Sequence, residues 1–216
     1  MPELPPPLPP ETRTVGQLVA ETIRLYGAHF WRVLPLGLPL AAIDQFASGR
    51  PLRTQIELIW AGAPFLTAAY VAASALAGRV RPTARSATVA LVTGLIVFLP
   101  AAALKGRFEL LSVAWLALVG LVVPVAVIER TGFRETFLRA RSLATADYVH
   151  ALGSLATLTI VFFLSQLLLS QLLQSQGDNA QRVAVFAGDV VVSPLLLLGA
   201  ALLYFDQAAR RAARPR

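Results

Sequence analysis

The sequence predicts an all-α integral membrane protein: a bundle of six transmembrane helices, two amphipathic helices at the cytoplasmic interface, and both termini in the cytoplasm. Hydrophobic residues make up 56% of the 216 residues and charged residues only 14%, whereas a soluble domain has about 25% charged residues. The mean hydropathy is +0.64, and a compact soluble protein cannot bury that much apolar surface. The arginines cluster at the ends of the apolar runs, where membrane proteins place positive charge.

Residues 1–13 are predicted to form a disordered, Pro-rich cytoplasmic tail. Proline occupies six of the first ten positions, and it favours an extended, solvated segment because it has no backbone N–H. Recognition of this tail by a partner that binds PxxP is the alternative that we rank lower. The segment has neither the basic start nor the apolar core of a signal peptide, so we expect no cleavage.

Residues 14–28 are predicted to form the first interfacial helix. Thr14 followed by Gln17 has the spacing of a capping box, which begins a helix. Apolar residues then recur at helical spacing on one face, while Gln17, Glu21 and Arg24 lie on the other. Such a helix suits the membrane interface or packing on helix ends.

Six apolar runs follow, and each is compared with the roughly 20 residues that a bilayer core requires. They are 30–46, 56–76, 87–104, 110–128, 148–173 and 183–205. The first is short and contains Pro35, Pro39 and Asp44, so it is predicted to be either a kinked span or a re-entrant element. The second carries a ridge of alanines at 69, 73 and 77, which allows another helix to approach closely.

The distribution of positive charge predicts the orientation. With six spans and a cytoplasmic N-terminus, all but five of the 19 Lys and Arg residues fall on inner segments. The five on outer segments are Arg50, Arg53, Lys105, Arg107 and Arg182. Because positive charge is retained on the cytoplasmic side, the sequence predicts a protein of a bacterial-type inner membrane with both termini inside. Residues 14–209 form the membrane domain in this prediction, and residues 210–216 form a short basic tail.

Residues 131–146 form the longest inner connection and are predicted to be the second interfacial helix. Apolar residues line one face, namely Phe133, Phe137, Ala140 and Ala144. The remaining surface carries Arg134, Arg139 and Arg141, and binding of anionic lipid headgroups by these three arginines is the functional hypothesis. General anchoring by positive charge on the inner side is the alternative, which we rank higher.

Two stretches give a resemblance to a known family. VPVAVIERTGFRETFLRARSLATADYVHALG and the closing LLYFDQAARR resemble the membrane domain found attached to glycerophosphodiester phosphodiesterases, and its stand-alone relatives. The matching positions are Pro124, Glu129, Arg141, Ser142, Tyr204, Asp206 and Arg210. The resemblance covers residues 14–210 and implies a six-helix membrane module without a settled activity of its own. The phosphodiesterase chemistry belongs to a separate soluble domain, which we do not expect in this chain.

One acid lies well inside an apolar run. Asp189 is about two turns, or roughly 10 Å, from the outer end of the sixth predicted span. Gln166 lies at the same depth on the fifth span, because 166 and 189 are equidistant from the predicted turn at 176–179. We therefore predict that the two side chains face each other. A proton or cation relay is the functional hypothesis, and a hydrogen-bonded contact between helices is the alternative that we rank higher.

The inner helix ends carry a predicted ion-pair cluster of Glu129, Arg141, Asp206 and Arg210. Glu129 is expected to pair with Arg141, and Asp206 with Arg210 one turn further along the same helix. Ion pairs at the boundary that set the depth of the helices are the preferred interpretation, since single exposed pairs are weak.

The sequence contains no catalytic motif that we recognise, and we predict no cofactor and no metal. There is no cysteine, the only histidines are His29 and His150, and no zinc-binding pattern or glycine-rich phosphate loop occurs. The predicted function is a non-enzymatic membrane module that binds lipids, through anionic headgroups at the inner face, or a partner. That partner is another membrane protein or a second copy of the chain, and not a nucleic acid. The alternative is a small transporter or lipid-translocating protein with a polar site around Asp189.

Overall fold

The structure is a computed structural model that describes residues 9–104, 109–173 and 178–214. Every element in these ranges is helical, which confirms the all-α prediction. The elements are a 3-10 turn at Pro10–Thr12, α1 (Val15–Ala28), α2 (Phe30–Val33), a 3-10 turn at Leu34–Gly37, α3 (Leu38–Ala47), α4 (Leu52–Ala77), α5 (Ala84–Ala103), α6 (Glu109–Val119), α7 (Val122–Ile128), α8 (Phe133–Ala144), α9 (Tyr148–Leu172) and α10 (Asp178–Ala213).

Five stretches within the described residues are helical, long and apolar enough to cross a bilayer, as expected of an integral membrane protein. They are Leu52–Ala77, Ala84–Ala103, Leu110–Ile128, Tyr148–Leu172 and Asn179–Ala213. They correspond to the second to sixth predicted spans. The third of these stretches contains a break between α6 and α7 at Gly120.

The first predicted span, 30–46, is a broken segment. Proline ends one helical piece and begins the next, because it cannot donate the backbone hydrogen bond that a continuous helix needs. Pro35 lies at the start of the second 3-10 turn and Pro39 in the first turn of α3. The segment runs antiparallel to the start of α10, since Gly37 packs on Val190 and Asp44 shares a surface crevice with Arg182.

Helix α1 begins with the predicted capping box. The Thr14 backbone N–H donates to Gln17 Oε1 at 2.7 Å, and the Gln17 N–H donates to Thr14 Oγ1 at 3.4 Å. Both bonds occupy N–H groups that have no acceptor within the first helical turn. The sequence therefore sets the start of this helix.

Helix α1, which was predicted to suit the membrane interface or packing on helix ends, packs along the sides of two other helices. Val15 contacts Gly153 near the start of α9, and Ile23 lies beside Phe162 and Leu195 further along α9 and α10. Helix α1 therefore lies lengthwise in the groove between these two helices. The narrow buried stripe formed by Leu18 and Thr22 fits this groove.

Helix α8 packs on the ends of α6 and α7. Ala140 and Ala144 are buried there as predicted, but the rest of the buried stripe is formed by Thr136 and Leu143. Phe133, which was placed on the apolar face, remains 48% exposed and packs its ring against Phe137 at a centroid distance of 5.3 Å.

Helix α10 is the centre of the bundle and contacts α1, α3, α4 and α9. Gly199 lets α9 approach closely, because an added Cβ there would collide with Leu158. On α4, Ala69 and Ala73 of the predicted small-residue ridge are buried within the chain. The ridge therefore serves packing inside the bundle, in agreement with the predicted close approach of another helix.

Helical structure extends into both predicted tails. The 3-10 turn at Pro10–Thr12 packs on α10, and Arg13 is 7% exposed, so the chain is ordered before residue 14. At the other end, α10 continues to Ala213 and includes Arg210. The remaining parts of the two predicted tails, residues 1–8 and 215–216, lie outside the described residues.

Candidate functional site

The connections α4–α5, α7–α8 and α8–α9 and the last turns of α10 lie at one end of the bundle, which we call the basic end. A buried ionic network there joins the residues before α1 to α9 and α10. Arg13 Nη1 donates to Asp206 Oδ1 at 2.7 Å, and His150 Nε2 lies 3.4 Å from Asp206 Oδ2. Asp206 is fully buried, so its charge depends on these contacts rather than on water.

Arg210 extends the network to the start of α9. Its Nη1 donates to Asp147 Oδ2 at 2.7 Å and its Nη2 donates to the Arg13 carbonyl at 2.6 Å. The buried Gln207 side chain donates to the Asp147 carbonyl at 2.9 Å and accepts from the Asp147 N–H at 3.0 Å. These hydrogen bonds thus join three segments: the residues before α1, the start of α9 and the last turns of α10. Most of the bonded side chains are buried.

The predicted pair of Asp206 with Arg210 does not form. Both residues lie on α10 one turn apart, but Asp206 contacts Arg13 and His150 while Arg210 contacts Asp147. A pair at i, i+4 on one helix contributes only a few tenths of a kcal/mol. Partners on neighbouring elements, desolvated by the packing, therefore determine the contacts of these two side chains.

Glu129 was predicted to pair with Arg141, but in the structure it pairs with Arg139. Arg139 Nε lies 3.0 Å from each Glu129 carboxylate oxygen, and the Tyr204 hydroxyl donates to Oε1 at 2.8 Å. Arg139 and Arg141 lie roughly 200° apart around α8. Only one of them can therefore face the end of α7, and Arg141 lies on the exposed side.

The remaining predicted headgroup ligands, Arg134 and Arg141, are exposed. Within the part of the chain that the structure describes, no carboxylate lies within 4 Å of either guanidinium. The neighbouring connections add further positive charge through Arg81 and Arg130. These two connections lie side by side, because Arg130 Nη2 donates to the Arg81 carbonyl at 3.4 Å. The basic end therefore presents arginines to its surroundings from two adjacent connections.

Asp189 and Gln166 face each other as predicted. Gln166 Nε2 donates to Asp189 Oδ1 at 2.6 Å, and Asp189 is 1% exposed. Gly188 lies against Leu169 on α9, since an added Cβ there would collide with the end of the Leu169 side chain. One turn further along α10, the Ser193 hydroxyl donates to the Gly37 carbonyl at 3.4 Å.

A transporter centred on Asp189 requires a polar cavity that reaches this acid. The polar crevice between α3 and α10 is lined by Asp44, Gln45, Ser48, Gln181, Arg182 and Val185. Val185 precedes Asp189 by about 6 Å along the helix axis. Among the cavities described for residues 9–104, 109–173 and 178–214, none is lined by Asp189.

An apolar cavity of about 270 Å³ lies in the middle of the bundle. It is lined by Leu40, Leu66, Tyr70, Phe98, Val113, Leu116, Gly120, Leu121, Leu155, Thr159, Leu196, Leu197, Ala200 and Leu203. Most of these side chains are partly exposed, so the cavity opens to the surroundings of the bundle. The Tyr70 hydroxyl donates to the Gly120 carbonyl at 3.2 Å, and that bond satisfies a carbonyl at the break between α6 and α7.

The chemistry of this cavity favours an apolar occupant. An apolar cavity of roughly 150 Å³ in a soluble protein stays dry and accepts a benzene molecule. Because the wall offers almost no polar group, water would gain few hydrogen bonds there.

The cavity and most of the ionic network were not predicted from the sequence. Asp147 had a usable signal, because an Asp immediately before an apolar run is typical of a helix N-cap; its Oδ1 accepts from the His150 N–H at 3.0 Å. Arg13 had no such signal, since its partner is 193 positions away in the chain. The cavity residues lie on six helices and resemble any other apolar residues of a span.

Comparisons of the chain with protein-family models, with curated proteins and with solved structures found no match. The resemblance to the membrane domain attached to glycerophosphodiester phosphodiesterases stays a prediction.

Proposed function

We propose that this chain is a non-enzymatic lipid-binding protein of a bacterial-type inner membrane, and that its central cavity holds one acyl chain of a membrane lipid. The observation that carries the proposal is the apolar cavity of about 270 Å³. Lipid chains are the apolar molecules present at high concentration around a membrane bundle, and the cavity opens to the surroundings of the bundle. The implied six-helix module of the resembling family agrees with this proposal.

The proposed orientation has six crossings and both termini inside. Arg13 contacts Asp206 at the basic end, whereas Asp44 shares a crevice with Arg182 near the start of α10. Residues 13–47 therefore extend from one end of the bundle to the other. This supports the proposal that they form a first, broken membrane crossing. Arginines are favoured on the cytoplasmic side of a membrane, so the basic end is assigned to the inside.

The acyl-chain proposal is tested with a phospholipid that carries a photoreactive diazirine near the end of one acyl chain. In nanodiscs, we expect cross-links to cavity residues such as Leu116 and Leu197, identified by mass spectrometry of the peptides. Ala200→Trp is expected to abolish most of these cross-links, because Ala200 lines the cavity and the indole occupies the space of the chain.

The matched control is Leu164→Trp, at a residue of α9 that is 52% exposed. It adds the same indole ring to the outer surface of the bundle and should leave the cavity cross-links unchanged. Equal labelling of the cavity in the wild type and in Ala200→Trp would contradict the proposal. So would labelling confined to outer residues such as Leu164.

The headgroup part of the proposal rests on Arg134 and Arg141. Each arginine near an anionic surface contributes about 1 kcal/mol, which is about 5-fold in affinity, so Arg134→Gln/Arg141→Gln is expected to lower the preference for phosphatidylglycerol over phosphatidylcholine by roughly 25-fold. The measurement is competition between spin-labelled lipids at the protein surface. The control is Arg50→Gln/Arg182→Gln, which removes two arginines at the opposite end of the bundle. Equal losses in the two double variants would assign the preference to total charge alone.

A further inference from the structure

The contact between Asp189 and Gln166 leaves two buried oxygens without a hydrogen-bond donor. Oδ1 of Asp189 accepts from Gln166 Nε2 at 2.6 Å. The second carboxylate oxygen, Oδ2, and the amide oxygen, Gln166 Oε1, are both buried, and neither has a partner among the described residues. A buried acceptor without a donor is costly, and a buried carboxylate with a free oxygen is more so.

A single proton removes both deficits. A carboxylic acid and a primary amide form a closed pair with two hydrogen bonds, in which the amide N–H donates to one acid oxygen and the acid O–H donates to the amide oxygen. The first of these bonds is present, and Oδ2 and Oε1 are the atoms that the second would join. Turning the amide over would place two oxygens 2.6 Å apart, which also requires a proton between them.

We infer that Asp189 and Gln166 form a proton-binding site inside the membrane-spanning part of the bundle. Asp189 holds the proton on Oδ2 at neutral pH, and this O–H donates a hydrogen bond to Gln166 Oε1, so that two hydrogen bonds close the contact between α9 and α10. This inference does not rest on lipid binding, since it involves other residues than the apolar cavity.

The surroundings of the site favour the neutral acid. The second half of α9 carries no charged residue, and Asp189 is 1% exposed. Two ion pairs lie on the other helices packed against α10 in this region, Glu21 with Arg24 on α1 and Arg53 with Glu57 on α4. The remaining charged residues there are Asp44 on α3 and Arg182 on α10 itself. Within the described residues, no cationic side chain forms a hydrogen bond or an ion pair with Asp189. No cation there can therefore take the place of the proton.

The polar crevice between α3 and α10 lies close to the site along α10. Val185 lines this crevice and lies one turn before Asp189, so a proton that leaves the acid has about 6 Å to cover along the helix. Loss of the proton would turn Oδ2 into a second negative acceptor beside the Gln166 amide oxygen. The ionised pair would then repel at one of its two contacts, and α9 and α10 would separate there.

The test is infrared difference spectroscopy at pH 7 of the wild type against Asp189→Asn, in lipid. A protonated carboxyl group has a C=O stretching band well separated from the bands of a carboxylate. We expect an acid band in the wild type that is absent from Asp189→Asn, and no loss of that band in the control Asp44→Asn. Carboxylate bands alone in the difference spectrum of Asp189→Asn would overturn the inference.

Gln166→Leu gives a second measurement that keeps Asp189 in place, and it decides the question if Asp189→Asn does not fold. If Gln166 accepts a hydrogen bond from the acid O–H, the acid band of the wild type moves to higher frequency in Gln166→Leu, because the hydrogen bonds to the amide are lost. An acid band that does not respond to Gln166→Leu, or its absence from the wild type, would contradict the proposed pair.

Discussion

Asp206→Asn is expected to lower the free energy of unfolding by about 3–5 kcal/mol, which is the usual effect of breaking a buried ion pair on one side. Asp206 is fully buried, and Arg13 and His150 both contact its carboxylate. Asparagine keeps the size of the side chain but removes the charge that offsets the desolvation of the Arg13 guanidinium. Unfolding by SDS in mixed micelles, followed by tryptophan fluorescence, measures the difference.

The control for this prediction is the exposed acid Asp44. Asp44→Asn removes an acid of the same type and should stay within about 0.5 kcal/mol of the wild type. A double-mutant cycle with Arg13→Gln then isolates the pair itself. Its coupling energy should exceed that of the exposed pair Arg53–Glu57, whose atoms are 2.9 Å apart. Equal coupling in the two pairs would show that burial of the network does not stabilise the fold.

Gly37→Ala is expected to destabilise the protein by about 1–3 kcal/mol, the usual range for overpacking. A Cβ at residue 37 would collide with the backbone carbonyl of Val190, and a carbonyl in the middle of α10 cannot move aside like the end of a flexible side chain. The broken first segment would have to shift away from α10, and the bond from Ser193 to the Gly37 carbonyl would be strained. The same SDS unfolding assay measures the loss.

Gly27→Ala is the matched control, because a Cβ there has nothing within 4 Å. It lies near the end of α1, where alanine should be neutral or should stabilise the helix by up to about 1 kcal/mol. If Gly37→Ala were as stable as Gly27→Ala, the close approach of the broken segment to α10 would be refuted.

The sequence was sufficient to predict the helices and the register of the last hairpin. Long apolar runs can only be helices in a bilayer, so four of the later spans were located to within a few residues. The contact of Asp189 with Gln166 followed because two antiparallel helices keep equal distances from their turn. The contacts of His150 with Asp206 and of Leu158 with Gly199 follow the same register.

The partner choices at the basic end were not predictable in the same way. A sequence gives the spacing of charges along one helix, so it suggested Asp206 with Arg210; the structure shows that the packing of α1 and α9 brings other partners closer. Arg139 was preferred to Arg141 because of the rotation of α8 about its axis, which the hydrophobic pattern did not fix when Phe133 was placed on the buried face. The apolar cavity forms where side chains from several helices do not fill the space between them. No local sequence pattern indicates such a gap.

A single-particle structure of the protein in lipid nanodiscs, with a bound antibody fragment, would show whether the cavity holds a lipid chain. We expect elongated density in the cavity, in contact with Leu116, Leu197 and Ala200, that continues to the outside of the bundle. A cavity closed by movement of its own side chains, or one that contains only separate water molecules, would contradict it.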